Sequence, residues 1–119
     1  MKYIKILGSA WEISVRSYKD DPLLGDCDGY CDWTTRTIVV EREIKGGNLA
    51  DMDAYVRKVI RHEIVHAFLF ESGLGHASHK SKCWAVDEEV VDWFARMGEQ
   101  IYRAWEDAEA LDMGREEAE

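Results

Sequence analysis

The segment RHEIVHAF, residues 61–68, contains two histidines four residues apart and a glutamate directly after the first histidine. On an α-helix, residues at this spacing lie one above the other on the same face. His62 and His66 can therefore direct two imidazole nitrogens at one point, and zinc accepts such nitrogens at about 2.0–2.1 Å. Glu63 lies about 100° further round the helix, too far to ligate the same ion but near enough to reach a water molecule beside it.

This H-E-x-x-H pattern predicts a zinc ion held by His62 and His66, with Glu63 as the general base of a hydrolysis. Zinc lowers the pKa of a bound water to about 7, and a nearby carboxylate can then take the proton and pass it to a leaving amine. The alternative is two histidines with ordinary hydrogen-bond partners. The strongly apolar residues around the motif argue against it, because unpaired ionisable groups among apolar side chains cost free energy.

A catalytic zinc site needs a third protein ligand and one open position. Two adjacent glutamates, Glu88 and Glu89, open a second predicted helix, and either could supply the ligand. Helical angles do not choose between them. Asp92 lies one turn after Glu88, where a carboxylate can orient a ligating histidine through its second ring nitrogen. Glu89 lies at nearly the same angle as Arg96, which is typical of a solvent-facing charge.

With Asp87, Glu88 and Asp92 following the motif, the chain resembles the gluzincins, zinc peptidases whose third ligand is a glutamate on a later helix. It is also similar to small phage- and mobile-element-associated proteins that carry HEIVHAFLFESGL and a helix of the EEVVDWFA type, over roughly residues 28–96. The resemblance implies a minimal zinc metallopeptidase with both motif histidines and Glu88 as metal ligands, acting on a peptide or protein substrate.

The residues before the motif predict four short strands, because apolar and polar side chains alternate between turn-forming residues. The first two strands are expected to form a hairpin. One strand of the second pair is expected to be the sheet edge along which a substrate peptide lies extended. The four predicted strands are residues 3–7, 11–16, 30–33 and 37–42.

The motif lies in a long predicted helix that Asn48 or Asp51 can cap and that Gly73 can end. A second helix carries one apolar face. The two predicted helices cover residues 51–72 and roughly 84–105. Strands followed by helices predict a single α+β domain over residues 1–119, in which a small antiparallel or mixed sheet packs on the motif helix and the second, ligand-bearing helix. The acidic tail from about residue 106 is expected to fray.

The charge balance restricts the class of partner. Asp and Glu number 24 against 15 Lys and Arg, for a formal net charge of −9. Nucleic acids and anionic membranes are bound mainly through lysine and arginine, so neither is an expected partner. No stretch approaches the roughly 20 apolar residues of a membrane span and no secretory signal is visible. With an odd count of 3 cysteines, these features predict a cytoplasmic protein with free thiols.

Two weaker groups of residues lie outside the motif. His76 and His79 belong to the predicted loop between the helices, where either could polarise a substrate carbonyl. Cys27, Cys31 and Cys83 could join them in a second zinc site, but free thiols fit their spacing better. The rival function is a non-catalytic zinc-binding interaction module of phage or mobile-element origin. Glu63 favours the enzyme, because such a module needs no general base.

Overall fold

The computed structural model describes residues 2–42, 49–73 and 88–112, without the side chains of four residues of the second helix, Glu88, Val91, Asp92 and Ala95. The fold is α+β, as predicted, with a mixed four-stranded sheet packed against two helices. The elements are β1 (Lys2–Ile6), β2 (Ser9–Arg16), β3 (Gly29–Asp32), β4 (Thr37–Glu41), α1 (Met52–Glu71) and α2 (Glu88–Asp107), with a 3₁₀ turn (Pro22–Gly25) between β2 and β3.

The strand order in the sheet is β1-β2-β4-β3. β1 and β2 form the predicted hairpin, and the turn residues Leu7 and Gly8 have φ values of 50° and 87°. These left-handed conformations suit the twist of a two-residue hairpin turn. β2 pairs in parallel with β4, and β3 pairs antiparallel with β4. β4 is therefore interior, which makes 37–42 wrong as a candidate edge. Among the strands that the structure describes, β3, the other candidate, is an edge strand.

One face of the sheet packs against both helices. α1 lies over β3 and β4, and α2 lies over β1 and touches α1. Side chains alternate in direction along a strand, so every second residue of each strand points into this core. The buried core side chains of the sheet are Ile4, Ile6, Trp11, Ile13, Ile38 and Val40, and those of α1 include Val59, Ile60, Ile64, Ala67 and Phe68.

The boundaries of α1 follow the predicted capping residues. The Asp51 side chain accepts a hydrogen bond from the Ala54 amide at 3.0 Å, which satisfies one of the unpaired donors of the first turn. The helix ends before Gly73, whose φ of 89° is the left-handed conformation that favours glycine. Asn48, the alternative cap, and the predicted start of the second helix near residue 84 lie outside the described residues. Among the described residues, neither helix combines the length and apolar character needed to cross a membrane.

The chain after α2 packs against the domain as far as residue 112. Ala110 is fully buried, and its carbonyl accepts a hydrogen bond from Arg61 Nη1 at 2.7 Å. Arg57 on α1 pairs with Asp112, with 2.5 Å between Nε and Oδ1. This packing differs from the frayed tail predicted from residue 106, because two arginines of α1 and a small buried alanine hold the segment. Residues 113–119 lie outside the described part of the chain.

Candidate metal centre

The two motif histidines converge on the exposed side of α1. Their Nε2 atoms lie 3.2 Å apart, and the rings meet edge to face with 4.9 Å between centroids. Two nitrogens bound to one tetrahedral zinc at about 2.0–2.1 Å are separated by about 3.3–3.4 Å. The separation of His62 and His66 therefore fits two ligands of one zinc ion, with both rings accessible to solvent.

The electrostatic surroundings of His66 suit a metal ligand. Partial burial, and secondarily the charge of His62, lower the pKa of His66 below its usual value. A lowered pKa keeps the imidazole neutral near pH 7, and only the neutral ring has a lone pair to offer a metal. The helical spacing thus supplies both the direction of the two nitrogens and the charge of His62 that disfavours protonation of His66.

Glu63 points away from the solvent side of α1 towards the sheet. Glu63 is 7% exposed, and burial raises the pKa of its carboxyl group from 4.5 to about 7. A carboxyl group with a pKa near neutrality can both accept and return a proton at physiological pH. Glu63 is thus buried on the sheet side of α1 and lines the same cavity as His62.

Gly29, the first residue of β3, allows that strand to approach α1 closely. A Cβ atom at this position would lie 2.9 Å from the Val39 carbonyl oxygen and 3.0 Å from Val59 Cγ1, with Glu63 Oε2 at 3.5 Å. Only glycine avoids these contacts. The strand predicted over residues 30–33 leaves Gly29 just outside it, so the sequence analysis missed this role, although a glycine beside a predicted strand often marks a close approach of backbone.

Contacts on both sides of Gly29 hold β3 and its flanking residues against the motif helix. The Tyr55 hydroxyl donates to Asp28 Oδ2 at 2.7 Å, just before β3. Just after β3, the Trp33 ring stacks on Phe70 with 6.3 Å between centroids. β3 therefore runs in the same direction as α1, and its close approach lies beside Glu63.

Cys27 and Cys31, the two cysteines within the described residues, show no sign of a second metal centre. Cys31 lies on the face of β3 that packs against α1, and burial, followed by the charge of Glu63, raises its pKa to about 12. A thiol held protonated in this way is a poor zinc ligand. Cys27 and Cys31 are both free. Within residues 2–42, 49–73 and 88–112, no three His, Cys, Asp or Glu side chains gather as a metal-binding group.

The remaining candidate residues fall at the border of the described chain. Glu88 is the first residue of α2, but its side chain and that of Asp92 lie outside the described residues, as do His76, His79 and Cys83. Glu89 is exposed. The structure therefore brings His62 and His66 together and places Glu63 with His62 in the lining of one cavity. The third ligand stays a prediction.

A cavity of about 220 Å³ opens beside the motif, between the start of β3 and the first half of α1. Its lining includes His62 and Glu63 of the candidate metal centre and combines charged and apolar side chains. Its lining residues are Asp28, Gly29, Tyr55, Lys58, Val59, His62 and Glu63.

The chain matches no protein-family model, no curated protein and no solved structure. The functional argument consequently rests on the geometry of the site and on the residues themselves.

Proposed function

We propose that the chain is a zinc-dependent metallopeptidase of minimal gluzincin type that hydrolyses peptide bonds. The observation that supports this most directly is the 3.2 Å separation of the His62 and His66 Nε2 atoms beside the buried Glu63 carboxyl. His62 and His66 would hold the ion, and Glu88 at the start of α2 would be the third ligand. When bound, zinc supplies a Lewis acid that polarises a carbonyl and acidifies a water molecule.

Glu63 is the proton carrier of the proposed reaction. Its raised pKa of about 7 allows the carboxylate to take a proton from water and the resulting acid to return it to the leaving amine. The carboxyl is held by burial against β3, which Gly29 allows to approach α1 closely. The role of Glu63 is therefore general base first and general acid second.

The free edge of β3 is the proposed site for the peptide. Within the described residues, β3 pairs only with β4, so the other edge of β3 presents unpaired backbone groups next to the motif. An extended peptide can add to such an edge through main-chain hydrogen bonds. An antiparallel arrangement would give the better hydrogen-bond geometry. We also propose a reducing, cytoplasmic location, which the free thiols of Cys27 and Cys31 support.

The test compares wild-type protein with Glu63→Gln and His66→Ala, each incubated with zinc and a proteome-derived peptide library. Wild-type protein should cleave peptides. Glu63→Gln should keep zinc and lose cleavage, because it removes the base and leaves both imidazoles. His66→Ala should lose zinc and cleavage together. Loss of zinc from Glu63→Gln as readily as from His66→Ala would contradict the division into base and ligand. Zinc-dependent peptide binding with no cleavage by any variant would favour the non-catalytic interaction module.

A further inference from the structure

Two aromatic side chains meet at the Asp32 end of β3. Trp33 directly follows the strand, and its ring stacks on Phe70 of α1 with 6.3 Å between centroids and 30° between the ring planes. Trp33 is 48% exposed and Phe70 is half-buried, so the pair presents aromatic surface to solvent. Aromatic side chains contribute strongly to binding where a ligand buries their rings. The pair is therefore a candidate contact for an apolar group.

The aromatic pair and the motif histidines share one face of α1. His62, His66 and Phe70 follow one another at intervals of four residues, and residues at that spacing lie on the same side of a helix. Phe70 lies about 9 Å along the helix from the midpoint between the two histidines, at 1.5 Å per residue. An extended peptide covers that distance in about two or three residues. A peptide whose cleaved bond lies at the proposed metal can therefore reach the pair.

The direction of β3 decides which side of the cleaved bond meets the pair. β3 runs from Gly29, where it approaches Glu63, to Asp32, which is followed by Trp33. A peptide added antiparallel to β3 runs the opposite way, so it passes Trp33 first and Gly29 last. The residue in contact with the pair therefore precedes the cleaved bond.

The charged side chains close to the pair in the sequence are engaged within the protein. Asp32 accepts hydrogen bonds from the amide and the hydroxyl of Thr34. Arg36, in the turn after β3, forms an ion pair with Glu71, the neighbour of Phe70. A cation and a carboxylate thus neutralise each other at this end of β3. Half-exposed aromatic surface with its flanking charges paired matches a neutral, apolar ligand group better than a charged one.

We infer that Trp33 and Phe70 form a subsite for an aromatic or large aliphatic side chain of the peptide substrate, about two or three residues before the cleaved bond. This inference rests on the proposed peptidase function, whose substrate class it narrows. The peptide side chain packs on the Trp33 ring while the peptide backbone pairs with the edge of β3. Trp33 and Phe70 select the substrate and touch no reacting atom.

The first measurement is the sequence preference of cleavage. Wild-type protein, Trp33→Ser and Trp33→Phe are each incubated with zinc and the proteome-derived peptide library, and the residues on both sides of each cut are counted. Wild-type cuts should show a roughly two- to tenfold enrichment of aromatic and large aliphatic residues at the inferred position. Trp33→Ser should remove that enrichment, and Trp33→Phe should keep it. Tyr3→Ser, which removes an exposed ring from the far edge of the sheet, is the matched control and should keep it too.

The second measurement is binding, which needs no cleavage. Zinc-loaded Glu63→Gln protein is titrated by calorimetry with octapeptides of alanine and serine, capped at both ends, that carry one central Phe, Leu, Ala, Arg or Glu. The Phe and Leu peptides should bind roughly two- to tenfold tighter than the Ala peptide. Adding Trp33→Ser should abolish that preference, and adding Tyr3→Ser should retain it. The peptide series with Trp33 intact tests the subsite even where Trp33→Ser does not fold.

The outcomes separate the subsite from the peptidase. Equal binding of the Phe and Ala peptides, tightest binding of the Arg or Glu peptide, or an apolar preference that survives Trp33→Ser would overturn the subsite. Zinc- and Glu63-dependent cleavage without the apolar preference would leave the peptidase standing and overturn the subsite alone. Apolar binding that depends on Trp33, in a protein that cleaves nothing, would overturn the peptidase and keep the subsite.

Discussion

At His62 and His66, the four-residue helical spacing is enough to bring two imidazole nitrogens to the separation that zinc requires. Glu63 depends on more than spacing. Its raised pKa comes from burial, and that burial exists because β3 packs against α1 at a glycine. A change at a residue distant in sequence can therefore alter the proposed base without touching the motif.

The pKa of Glu71, at the end of α1, also depends on residues that are distant in the sequence. It accepts hydrogen bonds from Trp11 Nε1 at 2.8 Å and from Arg36 Nε at 2.5 Å. The bond from Arg36 lowers the pKa of Glu71 below 4.5, with a further contribution from Trp11. One carboxylate thus joins β2 and the turn after β3 to the helix that carries the motif.

Glu71→Gln should lower the free energy of unfolding by about 1 kcal/mol at pH 7. The glutamine is neutral, so the hydrogen bonds from Trp11 and Arg36 would no longer end on a charged carboxylate. A lowered carboxyl pKa contributes stability above the unfolded value of 4.5, and this contribution is lost as the pH falls through the folded value. The difference between variant and wild type should therefore vanish in acid. Urea denaturation from pH 3 to pH 7 measures it. Glu109→Gln, at an exposed pair with Lys2, is the control and should change little.

At the scale of elements, the pairing of β3 with α1 forms the candidate site. Tyr55 and Asp28 tie one end of the strand to the helix, and Trp33 and Phe70 tie the other. Between them Gly29 permits contact distances that any side chain would prevent. The free edge of β3 and the motif side chains are consequently held as one unit.

Gly29→Ala should destabilise the protein by about 1–3 kcal/mol, because the added methyl group overpacks the Val39 carbonyl and Val59. Thermal unfolding followed by circular dichroism provides the measurement. Gly25→Ala is the matched control, since a Cβ there meets nothing within 4 Å. Equal destabilisation by both substitutions would contradict the close approach of β3 to α1.

The start of α2 supplies the second element-scale prediction. Glu88→Ala should weaken zinc binding far more than Glu89→Ala, since Glu88 is the proposed ligand and Glu89 is exposed. Asp92→Ala should weaken it by about 10- to 100-fold if its carboxylate orients a ligating histidine. Zinc titrations of the three variants distinguish these effects. A titration in which Glu89→Ala loses more zinc affinity than Glu88→Ala would overturn the assignment.

For the whole molecule, an acidic domain of 119 residues should gain stability from a bound dication. We expect one zinc per chain, and unfolding at a lower temperature after chelation. Zinc at a hundredfold excess over its dissociation constant would add about 2.7 kcal/mol to the free energy of unfolding. Metal analysis and thermal unfolding with and without chelator measure both quantities. Two zinc ions per chain would support a second site that contains cysteine. No zinc at all, in protein purified without chelator, would contradict the proposed function.

The order of the elements and the motif side chains could be predicted from the sequence, because both depend on local periodicity. Alternation marked the four strands, and helical spacing placed His62 above His66. Asp51 and Gly73 marked the ends of α1 because caps are made by the residues themselves. These features involve neighbours within a few residues of one another.

Other features were decided only by the tertiary structure. Local alternation is the same in an edge and an interior strand, so it could not show that β4 is interior and that β3 is an outer strand of the sheet in the described part of the chain. The burial of Ala110, and with it the packing of the tail, depends on Arg57 and Arg61 half the chain away. The closeness of Gly29 to Glu63 likewise exists only when strand and helix meet. Contacts between distant segments depend on how whole faces pack together, and no local pattern of residues records that packing.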